Sequence, residues 1–198
     1  MTVFPQETGA SAVVYDLEFT AWEGSMTNRW SRPGEFTELV QIGAVRVNAE
    51  TFDVKDEMDV LVRPRLNPVL SDYLVKLTGI TNEDVAARGV DFVDAYREFL
   101  KFTAGCTTMA FGTDDLIFVD NIRLYGLRGL EALPAFINLR PWFNANGVST
   151  ATLHSCDVGP TLGVIFEGRQ HNALADTKSL IAGIKVLLGR GARNPLRA

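Results

Sequence analysis

The stretch Ser11–Phe19 (SAVVYDLEF) is a run of aliphatic and β-branched residues that ends in two acids. An apolar run this short and continuous predicts a strand buried on both faces, with its carboxyl end emerging at the surface. Residues 20–36 are polar and aromatic and are broken by Gly24, Pro33 and Gly34, which predicts a loop. Residues 38–47 (ELVQIGAVRV) and 57–62 (EMDVLV) predict two further strands in a meander with the first.

From residue 68 the period lengthens. Residues 68–77 (PVLSDYLVKL) predict a helix stopped by Gly79, and Asn82 and Asp91 predict N-caps for two more, NEDVAAR and DFVDAYREFLKF. Residues 107–111 predict a fourth strand closed by Gly112. Residues 114–125 carry apolar positions at Leu116, Ile117, Val119, Ile122 and Leu124, a helical spacing, and residues 136–139 predict a short fifth strand. The last long helix is expected to start near Asn172 and to stop at Gly189. Three strands, then helices, then strand, helix, strand and helix predict an α/β fold with a mixed sheet flanked by helices.

Length and composition narrow this picture. At 198 residues, with no internal repeat or Pro/Gly/Ser-rich linker, the chain reads as a single domain spanning 1–198, with its core at about 12–188. An apolar fraction of 46% and a charged fraction of 22% exclude a disordered or fibrous chain. The two cysteines, Cys106 and Cys156, form no CxxC pair and fit a reducing compartment. No basic segment followed by an apolar stretch opens the chain, and no window is long enough to span a membrane, so a cytoplasmic location is expected. The formal charge of −5 excludes a domain held to phosphates by basic excess, but not one that takes nucleic acid as substrate.

The candidate chemistry lies in acids at element ends. Asp16 and Glu18 are two apart on the first strand and so share a face. Two carboxylates on a buried strand repel each other and lose hydration, penalties that a divalent cation removes, although solvated strand-edge acids would look the same. His171 and Asp176 flank the expected start of the last helix, which allows imidazole and carboxylate to meet in one cleft. A cap or a core histidine is the plainer alternative. Asp114 and Asp115 follow the fourth strand, where α/β sheets place ligands, and either one could cap the next helix. Hard oxygen donors without cysteine suit magnesium or manganese, two of which can clamp a phosphodiester, and a histidine is a natural base for the attacking water.

These residues, in this order, resemble the DEDDh 3′→5′ exonucleases of the ribonuclease T-like superfamily. Asp16 and Glu18 match the first motif, Asp115, three after Gly112, the second, and Asp176 the third. His171 stands where the family has its general base. ELVQIGAV at 38–45, LVRP at 61–64 and LTGIT at 77–81 extend the match, while DLEFT at 16–20 and EGRQH at 167–171 resemble the Eri/KapD-like exoribonuclease branch above all. The resemblance implies a ribonuclease H-like fold with a five-stranded mixed sheet. It also implies two magnesium or manganese ions on Asp16, Glu18, Asp115 and Asp176, with His171 as base. The implied reaction is hydrolysis at the 3′ end of single-stranded RNA or DNA, RNA favoured, releasing nucleoside 5′-monophosphates. Phe19, Thr20, Thr78, Gly79, Ile80, Phe111 and Arg169 are the substrate contacts it suggests; Phe19 and Ile80 could otherwise be core residues, and Arg169 could simply pair with a nearby acid. Trp22, Arg29, Trp30 and Arg32 in the loop after the first motif could stack on bases or meet phosphates, or could simply anchor the loop. After Asp176 the chain carries only basic charges: Lys178, Lys185, Arg190, Arg193 and Arg197. They suit a helix C-terminus and could also reach nucleic acid.

Overall fold

In the computed structural model, which describes residues 10–197, the predicted central strand forms as β1 (Ser11–Phe19). It pairs antiparallel with β2 (Leu39–Asn48), which pairs antiparallel with β3 (Val54–Leu61). On its other side β1 pairs parallel with β4 (Thr107–Ala110), and β4 parallel with β5 (Phe136–Asn138). The sheet is therefore five-stranded and mixed, as expected, and its strand order is β3-β2-β1-β4-β5.

Eight helices accompany it among the described residues: α1 (Ser25–Asn28), α2 (Asp72–Thr78), α3 (Asn82–Arg88), α4 (Phe92–Phe102), α5 (Asp114–Leu124), α6 (Leu139–Ala145), α7 (Val158–Thr161) and α8 (Ala173–Gly189). None is long and apolar enough to cross a membrane. Several starts are fixed by side chains. Ser71 Oγ accepts from Leu74 N, so α2 begins after the cap and Pro68–Leu70 stay outside the helix. Thr81 and Asp84 form a capping box at α3. The cap is thus Thr81 and not Asn82, whose side-chain oxygen accepts instead from Leu70 N. Asp91 caps α4 and Asn172 caps α8, at the expected positions.

The alternation along β1 sets what lies above and below the sheet. Val13, Tyr15 and Leu17 face Phe92, Tyr96, Phe99 and Phe118 of α4 and α5. Ala12 and Val14 face Leu180, Ile181 and Ile184 of α8. Asp16 and Glu18 continue this second face, so the two acids point toward the start of α8.

α8 reaches that place because β2 carries a glycine there. Gly43 is the partner of Asp16 across the β1–β2 ladder. A Cβ on Gly43 would lie 2.1 Å from Leu174 N and 2.2 Å from the carbonyl carbon of Ala173. Thr177 Oγ1 donates to Gly43 O at 2.9 Å, and Ala173 N donates to Gln41 Oε1 at 3.0 Å. The first turn of the helix thus rests on bare strand backbone and is pinned by two hydrogen bonds.

The basic residues after Asp176 are largely occupied. Lys178 pairs with Glu57 at 2.8 Å, Lys185 with Asp53 at 2.6 Å, and Arg197 with Glu50. Trp142 Nε1 donates to Arg193 O at 2.8 Å, so the tail is fastened to the domain.

Gly43→Ala should lift the start of α8 and destabilise the protein by about 1–3 kcal/mol, the usual cost of overpacking. Chemical denaturation of the two proteins measures this, and an unchanged midpoint would contradict the contact.

Candidate active site

Three carboxylates converge where β1 ends under α8. Asp16, Glu18 and Asp176 each place an oxygen within 4.8 Å of the others, and all three residues are buried. Asp16 and Glu18 arrive from one strand face, and Asp176 from the first turn of α8. Their protein partners are few. Ser155 Oγ donates to Asp176 Oδ2 at a long 3.4 Å, while Asp176 Oδ1 is buried with no hydrogen-bond partner. Buried polar atoms are normally satisfied, so an orphaned carboxylate oxygen in a cluster of hard donors fits a divalent cation such as magnesium or manganese.

Another buried acid shows the contrast. Glu38 accepts from the backbone N–H groups of Arg65, Leu66 and Asn67 at 2.6–2.8 Å, and from the Tyr125 hydroxyl at 2.6 Å. Its charge is satisfied by protein alone, whereas the charges of the cluster are not.

The cluster forms one wall of a cavity of about 290 Å³. Asp114, the first residue of α5, also lines it, and Asp115 does not. The family spacing points to Asp115, and the cavity lining to its neighbour Asp114. Neighbouring residues of a helix project about 100° apart, so the two carboxylates leave α5 in different directions. Asp115 Oδ1 is, like Asp176 Oδ1, buried without a hydrogen-bond partner.

His171 sits at the cavity edge in a left-handed backbone conformation (φ 59), immediately before the N-cap Asn172. A non-glycine residue held there marks a position whose side-chain direction is fixed by its surroundings. Its ring meets the edge of His154 at 5.4 Å between centroids. Burial first, and His154 second, lower its pKa from the ordinary histidine value, so it is neutral near pH 7.

The lining also holds apolar and aromatic residues: Phe19, Met26, Trp30, Tyr73 and Leu77. Trp30 packs against Phe19 at 5.5 Å and donates Nε1–H to Thr20 O at 2.8 Å. Tyr73 and Leu77 are four apart on α2 and so share a face. Phe111 lines the cavity as expected, with the Arg140 guanidinium 4.3 Å over its ring. Arg140 also donates to the carbonyls of Phe111, Thr150 and Leu153 at 2.6–3.3 Å, tying β4 to the loop that carries His154 and Ser155.

Several expected substrate contacts lie elsewhere. Thr20 is buried, with its hydroxyl bonded to Phe36 O and Glu38 N, and Trp22 is not on the cavity lining. Thr78, Gly79, Ile80 and Arg169 line a separate cavity of about 470 Å³. Thr78 Oγ1 donates to Leu74 O and accepts from Ile80 N, and Ile80 is core. Arg169 donates to Lys76 O and lies under Gly79, where a Cβ would come within 2.6 Å of its Nε. These four shape the turn after α2 and do not line the acid cavity. Leu77, which opens the LTGIT segment of the family resemblance, does line the acid cavity. Tyr73, Arg140, His154 and Ser155 were not expected; of these only Tyr73, four residues before Leu77, carried a visible spacing.

The acids hold their protons unusually tightly. Burial, followed by the neighbouring carboxylates, pushes Asp16 and Glu18 well above the ordinary range, and burial pushes Asp114 and Asp176 up to about 7. With folded values above unfolded ones, the stabilisation is full at low pH and is lost as pH rises through about 7. The metal-free protein should therefore melt at a lower temperature at about pH 8 than at about pH 5. Magnesium should raise the melting temperature more at the higher pH, where the carboxylates are ionised. Scanning calorimetry with chelator and with magnesium at both pH values checks the pair of trends.

Comparison with known proteins agrees with this geometry. The exonuclease family RNase_T matches residues 13–183. Mouse 3'-5' exoribonuclease 1 is 27% identical over 183 residues, covering 84% of this chain and 50% of that protein. The 3'-5' exonuclease Snipper of Drosophila melanogaster is 24% identical over 205 residues, covering 91% of this chain and 70% of that protein. Among solved structures, the nuclease domain of 3'hExo, a DEDDh family member bound to rAMP, superposes with a TM-score of 0.74 at 24% identity, covering 94% of this chain and 95% of that one. The chain spans about half the length of the mouse and human exoribonucleases it matches. The fold is thus that of the ribonuclease H-like DEDDh nucleases. Because the matched segment contains the acid cluster and its histidine, the chain belongs to the RNase_T exonuclease family.

Proposed function

We propose that this chain hydrolyses nucleic acid from a free 3′ end, releasing nucleoside 5′-monophosphates, with single-stranded RNA favoured. The observation that carries this reading is the cavity itself. Its lining joins a carboxylate cluster with an orphaned oxygen and a neutral imidazole to apolar and aromatic side chains. A terminal nucleotide has the matching chemistry, an anionic phosphodiester joined to a flat base that stacks on aromatic rings. Relatives named as exoribonucleases support RNA over DNA.

Asp16, Glu18, Asp114 and Asp176 are the residues that would hold two magnesium or manganese ions, with Asp16, between the other acids, the best candidate to serve both. Such ions supply the positive charge that an anionic phosphodiester and a departing 3′ oxygen require. His171, neutral near pH 7, accepts the proton of the attacking water. Phe19, Trp30, Tyr73 and Leu77 pack against the terminal base, while Phe111 and Arg140 fix the cavity floor beside Asp114.

The reading is tested with single-stranded RNA and DNA labelled at either end, in magnesium and in chelator. Wild-type protein should shorten 5′-labelled RNA one nucleotide at a time and release a labelled mononucleotide at once from 3′-labelled RNA. His171→Ala should lower kcat by about 100-fold, the usual contribution of a general base, with KM and magnesium-induced stabilisation retained. Asp16→Asn should abolish both turnover and that stabilisation, and robust turnover of this variant would sink the assignment. Asp114→Asn should cost at least about tenfold more activity than Asp115→Asn, the scale on which a metal ligand and a bystander differ. The reverse order would return the metal-binding role to Asp115.

A further inference from the structure

A second set of donors overlaps the acid cluster. The Cys156 thiol, an imidazole nitrogen of His171 and a carboxylate oxygen of Asp176 lie within 4.8 Å of one another. Cys156 is 2% exposed, so its thiol is held inside the protein beside these two ligands. Asp176 is 1% exposed, and its Oδ1 has no partner.

We propose that Cys156, His171 and Asp176 form a zinc site distinct in composition from the all-oxygen cluster, and that zinc bound there switches the nuclease off. Sulfur, nitrogen and oxygen donors together suit zinc, whereas magnesium and manganese prefer oxygen alone. Three protein ligands would leave a fourth tetrahedral position for water.

The ligands are held on ordered elements. Cys156 lies in a 3₁₀ turn, Ser155–Asp157, and its carbonyl accepts from Ser179 Oγ of α8 at 2.9 Å. Ser179 Oγ in turn accepts from Gly159 N at 3.0 Å, which locks the turn against the helix. His171 and Asp176 flank the N-cap of the same helix. Cys156 is protonated in the metal-free protein, since burial and the surrounding carboxylates push its thiol up to about 12. Each zinc bound as thiolate therefore releases that proton to solvent.

Asp176 belongs to both donor sets, and His171 cannot bind zinc and accept a proton together. Zinc would occupy the general base and one hard ligand at once. Binding stands on the geometry alone, whereas the inhibition rests on the exonuclease reading.

The experiment uses the full chain and cobalt(II), a spectroscopic stand-in for zinc. Wild-type protein and Cys106→Ala should show a near-ultraviolet thiolate-to-cobalt charge-transfer band that one equivalent of zinc removes. Cys156→Ala should lack the band. Because the chain has two cysteines, the wild-type and Cys106→Ala spectra decide the site even if Cys156→Ala does not fold. In magnesium-supported hydrolysis, half-inhibition of Cys156→Ala should require roughly tenfold more zinc than wild type, the scale expected for a lost ligand. Absence of the sulfur band from wild-type protein at saturating cobalt overturns the site, and equal zinc sensitivity of the two proteins overturns the switch. If wild-type protein hydrolyses nothing in magnesium, the exonuclease reading falls, while the cobalt spectrum still judges the site.

Discussion

Everything at the cavity depends on how closely a helix can approach a strand. The start of α8 lies on the backbone of Gly43, the residue paired with Asp16, and only that approach brings Asp176 to Asp16 and Glu18. Bringing three like charges together in a buried place is unfavourable by itself, because each loses hydration and repels the others. The cost is borne by the apolar packing of α8 on β1, where Leu180, Ile181 and Ile184 meet Ala12 and Val14. The fold therefore holds the acids in a geometry they would not choose, and a cation is what makes that geometry favourable.

Glu38 shows that this is no general habit of the chain. It is as deeply buried as the cluster acids, but three backbone N–H groups and a tyrosine hydroxyl surround it. Where the protein needs a buried carboxylate for structure, it supplies the donors. At the end of β1 it withholds them. The same economy explains Arg140, whose guanidinium bonds three carbonyls and covers the Phe111 ring, so that its positive charge orders the cavity without satisfying the acids completely.

Most of the sheet was legible because its strands follow simple patterns. The apolar run of β1 and the caps Asp91 and Asn172 fall where the sequence places them. β3 begins at Val54, earlier than its pattern suggested, because this edge strand opens on an exposed valine followed by the polar Lys55 and Asp56, which break the apolar alternation. α6 was not foreseen: LRPWFNA has a proline, but it falls in the first turn, where no N–H is needed, and Asn138 caps the helix. At the site, Asp16, Glu18, His171 and Asp176 could be picked out because acids and a histidine interrupt otherwise regular elements. The choice between Asp114 and Asp115 turned on the phase of a helix start, which motif spacing does not encode. His154, Ser155 and Cys156 were invisible as neighbours, since the loop that carries them has no period and is placed by Arg140 and Ser179.

The pinning bond from Thr177 to Gly43 joins residues 134 apart in sequence, while all five strands are complete by Asn138. Contacts between such distant segments close late, because the intervening chain must first surrender its freedom. During synthesis the whole sheet can leave the ribosome before α8 exists to meet it. The early acids then stand without their late partner, and no complete metal cluster exists.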